Sequence, residues 1–337
     1  MSPMAARFLS AIVVLSMLAI LGSTVYSLAD PVTCRGVVAT IVGTDGPDVI
    51  VGTPGPDVIV ALGGDDTVDG ADDNDVICGG DGNDTLLGGD GNDYIAGDFL
   101  IGTEAPETLR GGNDVIDGGP GEDIIEGDRI EGRGGGDRIT GGIDRIHGGP
   151  DHDRISGDVL FGNAGSDEIR GGVDFLYGDD APDEINGDVI FGDVPAIGGD
   201  DIIHAAPDFI EGGEGNDVMA GDFILATTGD DVVFAANDAI DGGPGDDRFL
   251  GDHVFGGAGA DSVNLGTDRM YGGDGNDRFI ADSVGQFEVI TGGGDLIWAG
   301  DGDDLLECQY GKDIADGGTG LDTGTQCENA KNVESLL

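Results

Sequence analysis

Residues 79–96 read GGDGNDTLL and then, without a break, GGDGNDYIA: two copies of a nine-residue unit GGxGxDxUx in which U, here Leu86 and Ile95, is apolar. Each copy divides into a six-residue loop and a three-residue strand. Glycine supplies the backbone freedom that a tight loop needs, and the x-U-x triplet turns one side chain inward and two outward. The chemistry lies in the loop. Asp84 and Asp93 offer hard anionic oxygens beside carbonyls that small glycines leave open, a donor set suited to Ca²⁺, which takes six to eight oxygen ligands.

Working outward, nonapeptides begin at Gly43, Gly52, Ala61, Gly70, Gly79 and Gly88. From Gly97 the period changes to 30 residues, in units of five, nine, seven and nine, as in GDRIE, GRGGGDRIT, GGIDRIH and GGPDHDRIS over 127–156. Copies start at Gly97, Gly127, Gly157, Gly187, Gly221 and Gly251, with four extra residues near Val194 to Gly198; a worn copy follows from Ala281, and nonapeptides resume at Ala299. Every unit keeps Asp-x-U-x, and the U positions (Ile116, Ile125, Ile130, Ile139, Ile146, Ile155, Leu160, Ile169 and onward to Leu306) stay apolar. This pattern predicts an all-β solenoid, a parallel roll of two sheets with one buried U column. Successive loops would then alternate between two edges, the nine-residue units after Gly97 on one and the shortened units on the other.

The long-loop edge carries an acidic ladder of Asp93, Glu107, Asp123, Asp137, Asp153, Asp167, Asp183, Asp201, Asp217, Asp231, Asp247, Asp261 and Asp277, preceded by Asp48, Asp57, Asp66, Asp75 and Asp84 and followed by Asp304. Rungs ~4.8 Å apart would repel by ~1 kcal/mol per neighbour even in water. A divalent cation between rungs reverses that sign. Outward triplet positions carry aromatic residues, and Phe161, Tyr177, Phe191, Phe209 and Phe223 are expected to form one strip on the short-loop sheet, a face for a partner.

The first 29 residues hold a single charge, Arg7, then an apolar run from Phe8 to Leu21 and the small-residue site Ser27-Leu28-Ala29, which reads as an export leader. The chain as a whole is very acidic, with a formal net charge of −54, which disfavours nucleic acid and anionic lipid as partners. Four cysteines lie toward the ends, and because a solenoid keeps its ends apart the expected pairs are Cys34 with Cys78 and Cys308 with Cys327. The chain contains no GxSxG, HExxH, Walker or Rossmann signature, and His147, His152, His204 and His253 are scattered, so no catalytic residues are assigned. Seven basic residues lie between Arg110 and Arg170, several in Asp-Arg-Ile, where they relieve anionic repulsion.

The nonapeptides at Gly79 to Ala96, Gly118 to Glu126, Gly212 to Ala220 and Gly272 to Ile280 resemble the RTX calcium-binding repeat family, and the resemblance runs from 43 to about 325. It implies a parallel β-roll whose loop carbonyls and aspartates ligate several Ca²⁺ ions between successive turns. The five- and seven-residue units lack the full loop, although Asp98, Asp114, Asp128 and Asp144 persist in them, so calcium is assigned to the long-loop edge. The expected organisation is a leader over 1–29, a cap over 30–42, repeats over 43–325 (43–96, 97–280 and 281–325) and a tail over 326–337. The expected function is that of a secreted calcium-binding protein, not an enzyme, with structural or adhesive work at the cell surface. Its partner would be an envelope glycan, an envelope protein or a second copy. The alternative is an extracellular carbohydrate-active enzyme with its site in an irregular part, Val194 to Gly199 or Val284 to Thr291.

Overall fold

The computed structural model describes residues 31–336 except 164, 193–198, 227–229, 257–260, 286, 288, 328 and 334. The expected leader over 1–29 lies outside the described residues, as do 194–198 of the first irregular stretch and two positions, 286 and 288, of the second. The repeats form a parallel β-solenoid, as the x-U-x triplets predict, with three long sheets of 15, 12 and 7 strands. Among the described residues the single antiparallel strand pair, Thr33–Cys34 with Val37–Val38, belongs to the N-terminal segment.

The 18-residue coils at both ends are two-sheet rolls. Ile59 and Ile77 come from the fifteen-stranded sheet and Val68 and Leu86 from the twelve-stranded one, all with no exposure. Between them, the 30-residue coils depart from the expected two-sheet plan. A nine-residue unit has loop enough to reverse the chain, but in the five-residue unit only Gly127 and Asp128 separate the triplets, so the chain continues as one strand, Ile124–Glu131. Ile125 and Ile130 are an odd number of residues apart and yet both are buried, so strict alternation is broken between them and one residue is absorbed at Gly127-Asp128. The chain then reverses through a long loop into Arg138–Thr140 of the seven-stranded sheet and crosses by a short Gly141–Asp144 turn to Arg145–Gly149 of the twelve-stranded sheet. A second long loop returns it to the fifteen-stranded sheet at Arg154. Register is kept throughout: Ile125 pairs with Ile155, Ile130 with Leu160, Ile139 with Ile169 and Ile146 with Leu176.

The single U column is therefore two columns. Ile125, Ile155, Phe249 and Phe279 pack against Ile116, Ile146, Leu176 and Ile240 in one core, and Ile130, Leu160 and Ile190 against Ile139, Ile169 and Ile203 in another. Each fully buried side chain of this size contributes about 1.5–3 kcal/mol, and the stacked Phe249 and Phe279 rings, 4.4 Å between centroids, are the largest.

Both disulfides join the expected partners, Cys34 with Cys78 and Cys308 with Cys327. The first ties the N-terminal segment onto the outer surface of the fifteen-stranded sheet, where Cys34, Val60, Cys78, Tyr94 and Ala96 form a small third cluster. Tyr94, expected to face outward, is buried there: Arg35 lies over its ring at 4.4 Å and its hydroxyl donates to Glu126 Oε2 at 2.5 Å.

Candidate metal centre

The aspartate of each unit sits where a loop enters its strand, and its main-chain N–H donates to Oδ1 of the equivalent aspartate one coil on. Three long ladders follow. The first runs along one outer edge through Asp57, Asp75, Asp93, Asp123, Asp153, Asp183, Asp217, Asp247, Asp277 and Asp304, with N–H to Oδ1 distances of 2.7–2.8 Å. The second occupies the opposite edge, through Glu107, Asp137, Asp167, Asp201, Asp231 and Asp261. The nine-residue loops of the 30-residue coils thus fall alternately on two edges and not on one. The reason is the five-residue unit, which does not reverse the chain. The well-matched loops at Gly88 to Ala96, Gly118 to Glu126, Gly212 to Ala220 and Gly272 to Ile280 all belong to the first edge.

The third ladder begins as an outer edge with Asp48, Asp66 and Asp84, and passes without a break into Asp114, Asp144, Asp174, Asp208, Asp238, Asp268 and Asp295, the aspartates of the shortened units. The second lobe of the solenoid grows outside this edge and so encloses it. Asp98, Asp128, Asp158, Asp188, Asp222, Asp252 and Asp282, from the five-residue units, face it from the fifteen-stranded sheet. From Asp66 onward both series are buried completely or almost so. The short-loop edge expected from the sequence is in fact the interior of the molecule.

In the loops, one carboxylate oxygen takes the ladder bond while the other, Oδ2 of Asp66, Asp75, Asp84, Asp93, Asp123, Asp153, Asp183, Asp217, Asp247, Asp277 and Asp304, is buried with no hydrogen-bond partner. Loops of adjacent coils also press together: Gly82 lies at φ +146°, and a Cβ there would sit 1.9 Å from the Gly64 carbonyl oxygen. Burial pushes the Asp84, Asp123, Asp247 and Asp277 carboxyls up to about 7 and Asp183 to about 8. An anionic oxygen without partner or solvent is unfavourable by several kcal/mol until a cation joins it. The donor set, carboxylates with loop carbonyls, is entirely oxygen and suits Ca²⁺.

The basic residues and histidines lie on the outer surfaces. Arg129 pairs with Glu126 and Glu131 at 3.3 Å, and Arg138 with Glu168 at 3.1 Å. His147, His204 and His253 stack on Tyr177, Phe234 and Phe223. The five expected strip residues occupy two opposite faces. Phe161 and Phe191 stack at 4.8 Å on the fifteen-stranded sheet with Phe223 tilted at 6.1 Å from Phe191, whereas Tyr177 and Phe209 belong to the twelve-stranded sheet, on His147 and Phe175. The cause is again the five-residue unit, which keeps Phe161 and Phe191 on the same sheet as the nonapeptide before them.

The sequence matches the family described as RTX calcium-binding nonapeptide repeat (4 copies) over residues 42–77, 71–99, 110–129, 131–159, 156–185, 198–223, 220–249, 251–267, 263–283 and 290–323. No curated protein matches the chain. With this match spread over most of the solenoid, and with Asp75, Asp93, Asp123, Asp153, Asp183, Asp217, Asp247, Asp277 and Asp304 of the first edge each burying an oxygen that no hydrogen bond takes, the chain belongs to the RTX calcium-binding nonapeptide repeat family.

Proposed function

We propose that this calcium-binding repeat protein is exported through a leader over 1–29, folds on meeting Ca²⁺, and does structural or adhesive work at the cell surface. The observation that carries the reading is the set of buried Oδ2 atoms without a hydrogen-bond partner on Asp66 and Asp84 and, along the first edge, on Asp75, Asp93, Asp123, Asp153, Asp183, Asp217, Asp247, Asp277 and Asp304. A fold that stacks them without cations opposes itself, whereas a ligand that binds only the folded state stabilises it by about 4 kcal/mol per site at a thousand times its dissociation constant. Outward-facing stacked rings support the adhesive part, with the half-buried Phe161 and Phe191 on one face and the half-buried Phe175 beside the exposed Phe209 on the other. On the second face Tyr177 and Tyr271 border a shallow depression of about 380 Å³ that also contains Glu211 and Asp241, a combination of ring and acid that suits a sugar. An envelope protein and a second copy of the chain are the other partners such surfaces fit.

The test is circular dichroism of the chain from residue 30, first in chelator and then through a calcium titration. The expected result is a largely unfolded chain that gains β-structure steeply with Ca²⁺. Strong β-signal in excess chelator at low salt and neutral pH would overturn the folding part. For the surface part, Phe161, Phe191 and Phe223 are changed together to Ser. Unchanged mass in solution and unchanged retention on cell envelopes would remove that face from the account.

A further inference from the structure

Between the two hydrophobic cores the shortened units bring aspartates together in threes. Asp98, Asp114 and Asp128 each have a carboxylate oxygen within 4.8 Å of the others, and so do Asp128, Asp144 and Asp158; Asp158, Asp174 and Asp188; Asp188, Asp208 and Asp222; and Asp222, Asp238 and Asp252. Each aspartate of a seven-residue unit belongs to one triad, whereas Asp128, Asp158, Asp188 and Asp222 are each shared by two. All are fully buried.

One oxygen of each is held by the backbone. Gly112, Gly142 and Gly172 donate N–H groups to Oδ2 of Asp98, Asp128 and Asp158 at 2.6 Å, and Asp84, Asp114 and Asp144 donate to Oδ1 of Asp114, Asp144 and Asp174 at 2.7–2.8 Å. Asp128 is held by both oxygens, Oδ1 accepting from the Asp98 N–H at 3.2 Å; in the others the second oxygen has no hydrogen-bond partner, namely Oδ2 of Asp114, Asp144, Asp174, Asp208 and Asp238, and Oδ1 of Asp98, Asp158, Asp188, Asp222 and Asp252. The groups that act electrostatically on Asp158 and Asp222 are other aspartates, with no basic side chain among them. Like charges this close oppose one another strongly where water is excluded. Backbone donors hold each carboxylate by one oxygen and, Asp128 apart, leave the second oxygen for a cation.

We infer that this waist is a file of enclosed Ca²⁺ sites, one per triad, built by the five- and seven-residue units and separate from the nonapeptide loops. Ca²⁺ fits because it accepts a flexible cage made wholly of protein oxygens, whereas Mg²⁺ keeps several waters that a site flanked by two apolar cores has little room for. Shared aspartates join neighbouring sites into a continuous column, so each ion offsets the repulsion of the next pair of rungs. Enclosure also sets the kinetics. An ion at a loop can leave by a local opening, whereas an ion at the waist leaves only when a coil comes apart.

The inference rests on the calcium-dependent folding proposed above. The experiment uses the full chain folded in radioactive Ca²⁺, diluted into excess unlabelled Ca²⁺ so that the fold stays saturated, with retained label counted over time. Two classes are expected, a fast one from the loops and a slow one that exchanges at the unfolding rate. Asp174→Asn, which touches one triad, should retain one slow ion fewer with an unchanged fast class, and Asp123→Asn, on the outer edge, should change the fast class alone. Label lost in a single fast phase from the parent, with folding still calcium-dependent, would overturn the inference and leave the proposed function standing. A parent that holds no label at all would overturn both. An Asp174→Asn variant that folds and keeps the parent's slow count also refutes the assignment.

Discussion

Replacing Gly142 by alanine tests how closely the coils stack at the waist. An ideal Cβ at Gly142 falls 1.4 Å from the carbonyl oxygen of Gly112 in the preceding coil, 2.6 Å from its carbon and 3.0 Å from Asp128 Oδ2. Gly142 is not at positive φ, so the substitution adds no backbone strain and its effect is one of contact. The closest comfortable carbon–oxygen approach is about 3.3 Å, so the two coils must part locally by roughly 2 Å from a spacing of ~4.8 Å. That movement breaks the Asp114 N–H bond to Asp144 Oδ1 (2.7 Å) and the Ile143 N–H bond to Asn113 Oδ1 (2.9 Å), both of which join the two coils. A hydrogen bond to a carboxylate contributes about 1.5–3 kcal/mol and a neutral one about 0.5–1.5, and overpacking adds about 1–3, so a loss of about 4 kcal/mol is expected. For a domain of this size that lowers the melting midpoint by about 10 °C, read by circular dichroism in saturating Ca²⁺. Gly55, with nothing within 4 Å of its Cβ position and no positive φ, is the control, and Gly55→Ala should leave the midpoint unmoved. If Gly142→Ala melts within about 2 °C of the parent, the coils are not packed as described.

Two further predictions concern the core and pH. Phe279→Ala removes half of the Phe249–Phe279 stack and should cost about 3–5 kcal/mol; a thermal melt in Ca²⁺ showing a loss below about 1 kcal/mol would mean that the core collapses around the gap. Asp84, Asp123 and Asp183 have folded-state values raised to about 7, 7 and 8, so the calcium-free fold binds protons that the unfolded chain, titrating near 3.8, does not. Their penalty on the calcium-free fold is therefore fully present above about 8 and disappears as pH falls toward about 4. Calcium-free protein should gain β-signal on acidification from pH 8 to 5 while its calcium affinity falls; an unchanging dichroism spectrum over that range would refute the burial of these carboxylates.

The apolar spacing of Leu86, Ile95, Ile125 and Ile155 carries the strand positions and the parallel stacking, because only one side chain per triplet faces inward. It does not carry the number of sheets. Whether the chain reverses between Ile125 and Ile130 depends on how many residues a reversal needs, and Gly127-Asp128 are too few. Once that bend is a continuation, Asp128 turns inward to meet Asp144, and Phe161 separates from Tyr177. The odd five-residue spacing was the visible signal, since a strand that alternates cannot bury both isoleucines without absorbing a residue. Tyr94 escaped the reading for a different reason: its cover comes from Arg35 and the Cys34–Cys78 link, neither of which leaves a mark on the nonapeptide itself.

The four extra residues in the copy that begins at Gly187 do not disturb the register on either side. Ile169 pairs with Ile203, Phe191 with Leu225, and Asp167 N–H still reaches Asp201 Oδ1 at 2.9 Å, across 34 residues where neighbouring copies use 30. Length added at the second outer edge is thus invisible to the rest of the solenoid. By the same bonds, a guest peptide inserted between two rungs of that edge should leave the ladder above and below it unchanged. Whole 30-residue modules can be duplicated or deleted in the same way, since every rung recognises only its equivalent one module away.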